Sequence, residues 1–151
     1  MLKGIHPLLT PELLKILCEM GHGDEIVLAD ANFTAHTLAD AKPVIRLAGA
    51  GMLEASAAVL SVLPLDAMVN QPIAFMQVGD TPPGYRSGLQ RDVIGEFERT
   101  GDARAEQCQA MERFAFYERT KQASAIVLTG EAQPWANFLF RKGVIAEALR
   151  P

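Results

Sequence analysis

Five short apolar runs constrain what this chain can become: Ile26-Val27-Leu28-Ala29, Val44-Ile45-Arg46-Leu47 behind Pro43, Ile73 to Val78, Ala125-Ile126-Val127-Leu128, and Asn137-Phe138-Leu139-Phe140. Each has the length of a strand and is rich in β-branched or aromatic residues. Taken together they lack the strict polar alternation of a sheet with one face in water. Such strands need cover on both sides, and the intervening segments supply it at helical spacing. Thr10 and Pro11 open a helix with Leu13, Leu14, Leu17 and Met20 on one face, which Gly21 is expected to end as a left-handed residue. Leu53, Ala57 and Leu60 mark a second helix, stopped by Pro64; Leu89, Val93 and Phe97 mark a third, ended at Gly101; Phe114 to Gln122 is a fourth. The polar stretch from Asn32 to Lys42 reads as a loop carrying His36, and Asp80 to Gly88 as a surface loop. Gln107 to Glu112 fits neither period. The expectation is an α/β fold whose sheet is covered by helices on both faces.

No linker, repeat or low-complexity tract divides the 151 residues, and 49% hydrophobic content is enough for one sizeable core, so residues 1–151 read as a single domain. A net charge of -4 without any basic run argues against nucleic acid and against an anionic membrane as partners. No stretch is long and apolar enough for a membrane span, and Met1-Leu2-Lys3-Gly4 lacks a signal-like apolar core. A cytoplasmic protein is expected, in which Asn32-Phe33-Thr34 is not used as a glycosylation sequon. Cys18 and Cys108 have no metal-ligand or CxxC spacing and read as two buried free thiols.

Three groups of residues compete for the chemistry. Gly49-Ala50-Gly51 sits between a strand and a helix, but Glu54 occupies the third glycine position of a dinucleotide-binding turn, where a carboxylate would face the pyrophosphate. It is better read as a tight turn. The second group is Gly21-His22-Gly23-Asp24 with Asp30 at the far end of the following strand. Flanking glycines leave the His22 imidazole open, and carboxylates lie nearby. No nucleophile elbow and no second histidine at ligand spacing accompany it, so acid/base chemistry without metal or other cofactor fits best. His36 offers the same ring, and His6 lies near a chain end. The third group is Arg113 with Trp135-Ala136-Asn137: guanidinium, amide and flat ring together suit a monosaccharide, with donors for its hydroxyls and a surface for its C–H face. The other charges and aromatics around Arg113 read as a solvated helix face and core.

Gly21-His22-Gly23-Asp24, Asp30-Ala31, Arg113-Phe114-Ala115-Phe116-Tyr117-Glu118-Arg119 and Thr129-Gly130-Glu131 resemble the fucose branch of the ribose pyranase/fucose mutarotase family. The likeness runs from Met1-Leu2-Lys3 to Lys142-Gly143-Val144. It implies a ribose pyranase-like α/β domain with a mixed sheet, in a ring-shaped homo-oligomer, typically a decamer, with sites near subunit contacts. Carried over by position, His22 would be the proton donor and Asp30, Arg113, Trp135, Ala136 and Asn137 would bind sugar, with Asp24 and Tyr117 as supporting groups. Three features depart from the branch: Trp135-Ala136 stands for the usual tyrosine and glycine, Asn32 and Thr34 for histidine and proline, and the segment from Asp80 to Gln107 is longer.

The implied reaction exchanges the anomers of L-fucose or a related sugar. It needs one proton removed from the anomeric hydroxyl and one delivered to the ring oxygen, transfers suited to an imidazole titrating ordinarily near ~6.5. Asp24 or Asp30 is expected either to fix the tautomer of His22 or to grip a sugar hydroxyl. The alternative is a non-catalytic sugar-binding or transport-associated protein with the same pocket, which has no need of His22. Self-association beyond a dimer is expected from the resemblance and from apolar surface offered by Phe138, Leu139 and Phe140.

Overall fold

A computed structural model describes residues 2–147. Among the described residues five α-helices and six strands follow one another: α1 (Pro11–Glu19), β1 (Glu25–Ala29), α2 (Ala35–Ala39), β2 (Val44–Leu47), α3 (Met52–Leu60), β3 (Ile73–Met76), α4 (Gly88–Thr100), β4 (Cys108–Met111), α5 (Arg113–Thr120), β5 (Ala125–Thr129) and β6 (Phe138–Arg141). The strands form one mixed sheet in the order β2-β5-β1-β6-β3-β4. Five of them run parallel, and β6 is inserted antiparallel between β1 and β3.

The apolar runs bury both faces, as their composition requires, and successive residues alternate between two cores. Ile26, Leu28, Val127, Phe138 and Phe140 face α1, α3 and α4, whereas Val27, Ala29, Ile126, Leu128 and Leu139 face α2 and α5. Helix ends follow local signals. The Thr10 hydroxyl accepts from the Leu13 N–H (3.2 Å), and Ser87 and Gln90 cap α4 reciprocally before Gly101 ends it with φ 80°.

Several expectations change. Gly21 is not left-handed: Met20 leaves α1 in an extended conformation, the Asp24 carboxylate takes the Gly21 N–H (2.7 Å), and the positive φ falls on Gly23 (86°). His36 lies in the short helix α2 rather than in a loop. Helix α3 buries Met52, Ala55, Ala58 and Val59 and turns Leu53 outward, because its small residues let the backbone approach the sheet. Gln107 to Glu112 yields β4, paired with β3 at the sheet edge. Cys18 is exposed on α1; only Cys108 is buried. Phe138, Leu139 and Phe140 present no surface, since β6 is a central strand and all three are fully buried. The turn at Gly51 is closed by the protein itself, with the Met52 N–H directed at the Glu131 carboxylate (3.4 Å).

Candidate active site

The parallel strands place the candidate residues at two opposite edges of the sheet. At the edge where β1, β3 and β4 end and β6 begins, a cleft of about 400 Å³ is lined by Gln77, Gly79, Asp80, Glu112, Arg113, Phe114 and Trp135. Crevices outside the carboxyl ends of parallel strands are where α/β sheets usually bind ligands. Arg113 is the first residue of α5, and its guanidinium lies over the Phe114 ring, 4.5 Å from the centroid. It makes no ion pair among the described residues, which leaves its donors for a ligand. Glu112 is not similarly free, because its carboxylate caps α5 through the Phe114 (2.8 Å) and Ala115 (3.1 Å) N–H groups.

Trp135 lies half-buried in this cleft with φ 67°, a conformation rare for so large a side chain. Two residues not singled out from the sequence hold it. Its ring rests on Gly79, where a Cβ would stand 3.0 Å from Cη2, and its carbonyl accepts from Nε2 of the buried Gln90 (3.0 Å), which also donates to the Met76 carbonyl (2.8 Å). Asp30, Ala136 and Asn137 are buried behind the cleft wall. Asp30 and Asn137 form a paired unit: the Asn137 amide donates to Asp30 Oδ2 (2.9 Å), and the Asp30 N–H donates to Asn137 Oδ1 (2.9 Å). Burial pushes the Asp30 carboxyl above its ordinary range, helped by the Glu131 charge and opposed by hydrogen bonds from Asn32 and Asn137. Tyr117, on the next turn of α5, packs edge-on to Phe33 and Phe114.

His22 is at the other edge. It lies between α1 and β1, its side chain 40% exposed, with Nε2 3.1 Å from Asp66 Oδ1. Neither carboxylate expected to orient it does so: Asp24 is engaged with Gly21, and Asp30 stands beyond the far end of β1. Asp66 takes that place, accepting also from the Met68 N–H (3.0 Å) and from Arg141 Nε (2.9 Å). Those two donors, with a smaller contribution from His22, hold its carboxyl at about 2. A lone carboxylate within Leu63-Pro64-Leu65-Asp66-Ala67-Met68 is the sequence signal that marks it as a buried, paired group.

The family model described as RbsD / FucU transport protein family matches residues 3–145. A fucose mutarotase from Homo sapiens is 47% identical over 150 residues, covering 96% of this chain and 95% of its own. An L-fucose mutarotase from Actinobacillus pleuropneumoniae serotype 5b is 40% identical over 146 residues, covering 95% and 97%. Among solved structures, the fucose mutarotase from Streptococcus pneumoniae in complex with L-fucose is similar at a TM-score of 0.84 and 39% identity, over 96% of this chain and 100% of that one.

Proposed function

This chain belongs to the RbsD / FucU transport protein family, and on that premise we propose that it is a monosaccharide mutarotase, an isomerase interconverting the α and β anomers of L-fucose. The nearly full-length likeness to fucose mutarotases carries this reading. The cleft supports it. Arg113 offers a fork of donors to sugar oxygens, Trp135 offers a flat apolar face for C–H groups and a 6-deoxy methyl, and Asp30, Ala136 and Asn137 back the same wall. His22 is the acid/base. The anomeric hydroxyl loses its proton, the bond from C1 to the ring oxygen breaks, and the ring oxygen is protonated. The open-chain aldehyde then rotates and closes on its other face. A contribution of roughly 10²–10⁴-fold is what one positioned imidazole supplies, and an already facile reaction needs no more.

We extend the proposal to the assembly. Strand β1 has five residues and so spans about 16 Å, with His22 before its start and Asp30 after its end; one subunit cannot bring both to one sugar. A head-to-tail ring sets the His22 edge of one subunit against the cleft edge of the next, and a ring-shaped homodecamer is the form proposed. Exposed apolar side chains at both edges favour such a contact: Met68 (74%), whose N–H donates to the Asp66 that faces His22, and Phe114 (60%) in the cleft. No helix among the described residues is long and apolar enough to cross a membrane. Two unpaired cysteines fit the cytoplasmic location proposed here.

Magnetisation-transfer NMR on L-fucose tests the function directly. The wild-type protein should accelerate anomer exchange, His22→Gln should lose most of the acceleration while still binding sugar, and Arg113→Ala should chiefly raise KM. A His22→Gln protein with wild-type exchange would remove His22 from the mechanism, and no acceleration by the wild type would leave only a sugar-binding protein.

A further inference from the structure

A helix N-terminus with an arginine beside it ordinarily attracts anions, because unpaired N–H groups and the guanidinium act together. The first turn of α5 opens on the cleft in this way, with Glu112, Arg113 and Phe114 all on the lining. Here the protein itself fills the place an anion would take. Glu112 folds its carboxylate back onto the turn, and one oxygen, Oε2, accepts both the Phe114 N–H (2.8 Å) and the Ala115 N–H (3.1 Å). Capping alone does not require this charge: Thr10 and Ser87 cap α1 and α4 with neutral hydroxyls, and glutamate is outside the usual N-cap set.

We propose that Glu112 sets the charge specificity of the mutarotation: its carboxylate, pinned at the N-terminus of α5, admits neutral sugars to the cleft and turns away uronates and sugar phosphates. This rests on the reading of the chain as a mutarotase. A neutral sugar is not penalised, because each hydroxyl can donate to a carboxylate or accept from a guanidinium. A carboxylate or phosphate group on the sugar can only accept. Drawn to Arg113, it would come to rest beside Glu112, the preceding residue, with the N–H groups that could have received it already taken.

The balance of charge makes one residue decisive. Arg113 forms no ion pair with Glu112 or Asp80 among the described residues, and its guanidinium lies over the Phe114 ring instead. Counting the helix end as about +0.5, the lining of Asp80, Glu112 and Arg113 carries about −0.5, and without the Glu112 charge it would carry about +0.5. Asp80 cannot supply this alone, since its exposed side chain makes no hydrogen bond among the described residues and is free to turn to solvent. Behind the wall the field has the same sign: burial pushes the Asp30 carboxyl up, and the Glu131 charge adds to it. The Debye length at physiological salt, about 8 Å, is longer than the reach across one pyranose ring, so the Glu112 charge is felt wherever the anionic group sits on the sugar.

L-Fucose and L-galacturonate, in which a carboxylate replaces the C6 methyl group, share the anomeric centre and ring hydroxyls and differ in charge. Magnetisation-transfer NMR on both gives the ratio of their kcat/KM values within each protein. The wild type should favour L-fucose, and Glu112→Gln, whose amide oxygen can still cap α5, should narrow that preference by about tenfold. Glu112→Asp keeps both charge and cap and should keep the preference. In the wild type, raising salt from about 10 mM to about 1 M shortens the Debye length from about 30 Å to about 3 Å and should also narrow it. A preference left intact by Glu112→Gln in the folded protein, or by salt in the wild type, would overturn the proposal, because shape and not the Glu112 charge would then reject the uronate. Equal exchange of the two sugars by the wild type would overturn it too, as would a preference abolished by Asp80→Asn with Glu112 in place. No acceleration of L-fucose exchange by the wild type would instead overturn the mutarotase reading.

Discussion

Trp135 and Gly79 act as one unit, because the indole lies where a side chain at residue 79 would begin. Gly79→Ala should displace the ring and raise KM for L-fucose several-fold with little change in kcat, a split measurable by the same exchange NMR. Trp135→Tyr should cost less affinity than Trp135→Ala, since phenol keeps a flat face in the cleft; equal values would place the ring outside the sugar's reach. Asp66 has a consequence for stability as well. Its carboxyl is held at about 2 in the fold against an ordinary ~3.9, so the unfolded chain binds a proton first as pH falls. The resulting stabilisation is present above about pH 4 and is lost as pH drops toward 2. Denaturant titrations at pH 4 and pH 2 should show the wild type losing more stability across that window than Asp66→Asn does.

Helix α4 belongs to the long segment from Asp80 to Gln107, and it ties that segment to the cleft. Its N-terminus carries two separable devices: the Ser87 hydroxyl, which accepts from the Gln90 N–H (3.2 Å), and the Gln90 side chain, which forks between the Met76 and Trp135 carbonyls. Ser87→Ala should lower stability by about 1 kcal/mol, the usual cost of a lost N-cap, and leave KM unchanged. Gln90→Ala strands two carbonyls in a buried place and should cost about 1–3 kcal/mol while also raising KM, because Trp135 loses the group that holds its backbone. Equal effects of the two variants on KM would show that α4 supports the cleft only through its own stability. The capping pair Ser87-x-x-Gln90 is a local pattern that reading Asp80 to Gly88 as a surface loop passes over; the second use of Gln90 has no local signal at all, because its partner Trp135 lies 45 residues away.

At the scale of the whole molecule, the two halves of the proposed site lie at opposite edges of one sheet, so the proposed function requires assembly. His22→Gln and Arg113→Ala, each weak alone, should regain exchange when unfolded and refolded together. Random mixing of equal amounts into a closed ring places an intact His22 beside an intact Arg113 in about one site in four. No recovery in mixed particles of confirmed composition would mean that each subunit works alone. Light scattering should give a mass well above that of a dimer, and Met68→Arg or Phe114→Arg should lower it together with the exchange rate.

The residues by themselves determined what burial and near-neighbour chemistry control. Five apolar runs required strands covered on both faces, and Thr10 and Gly101 marked helix ends, because caps and periodicity are settled within a few residues. Arg113 and Trp135 were legible as pocket residues, being polar or aromatic groups beside apolar runs. Tertiary structure alone decided the strand order β2-β5-β1-β6-β3-β4, the interior place of β6, the pairing of Asp30 with Asn137 across 107 residues, and that of His22 with Asp66 across 44. Hydrophobic burial is non-directional: it says that a run is covered but not by which neighbour, so any contact that depends on strand order and register waits for the folded sheet.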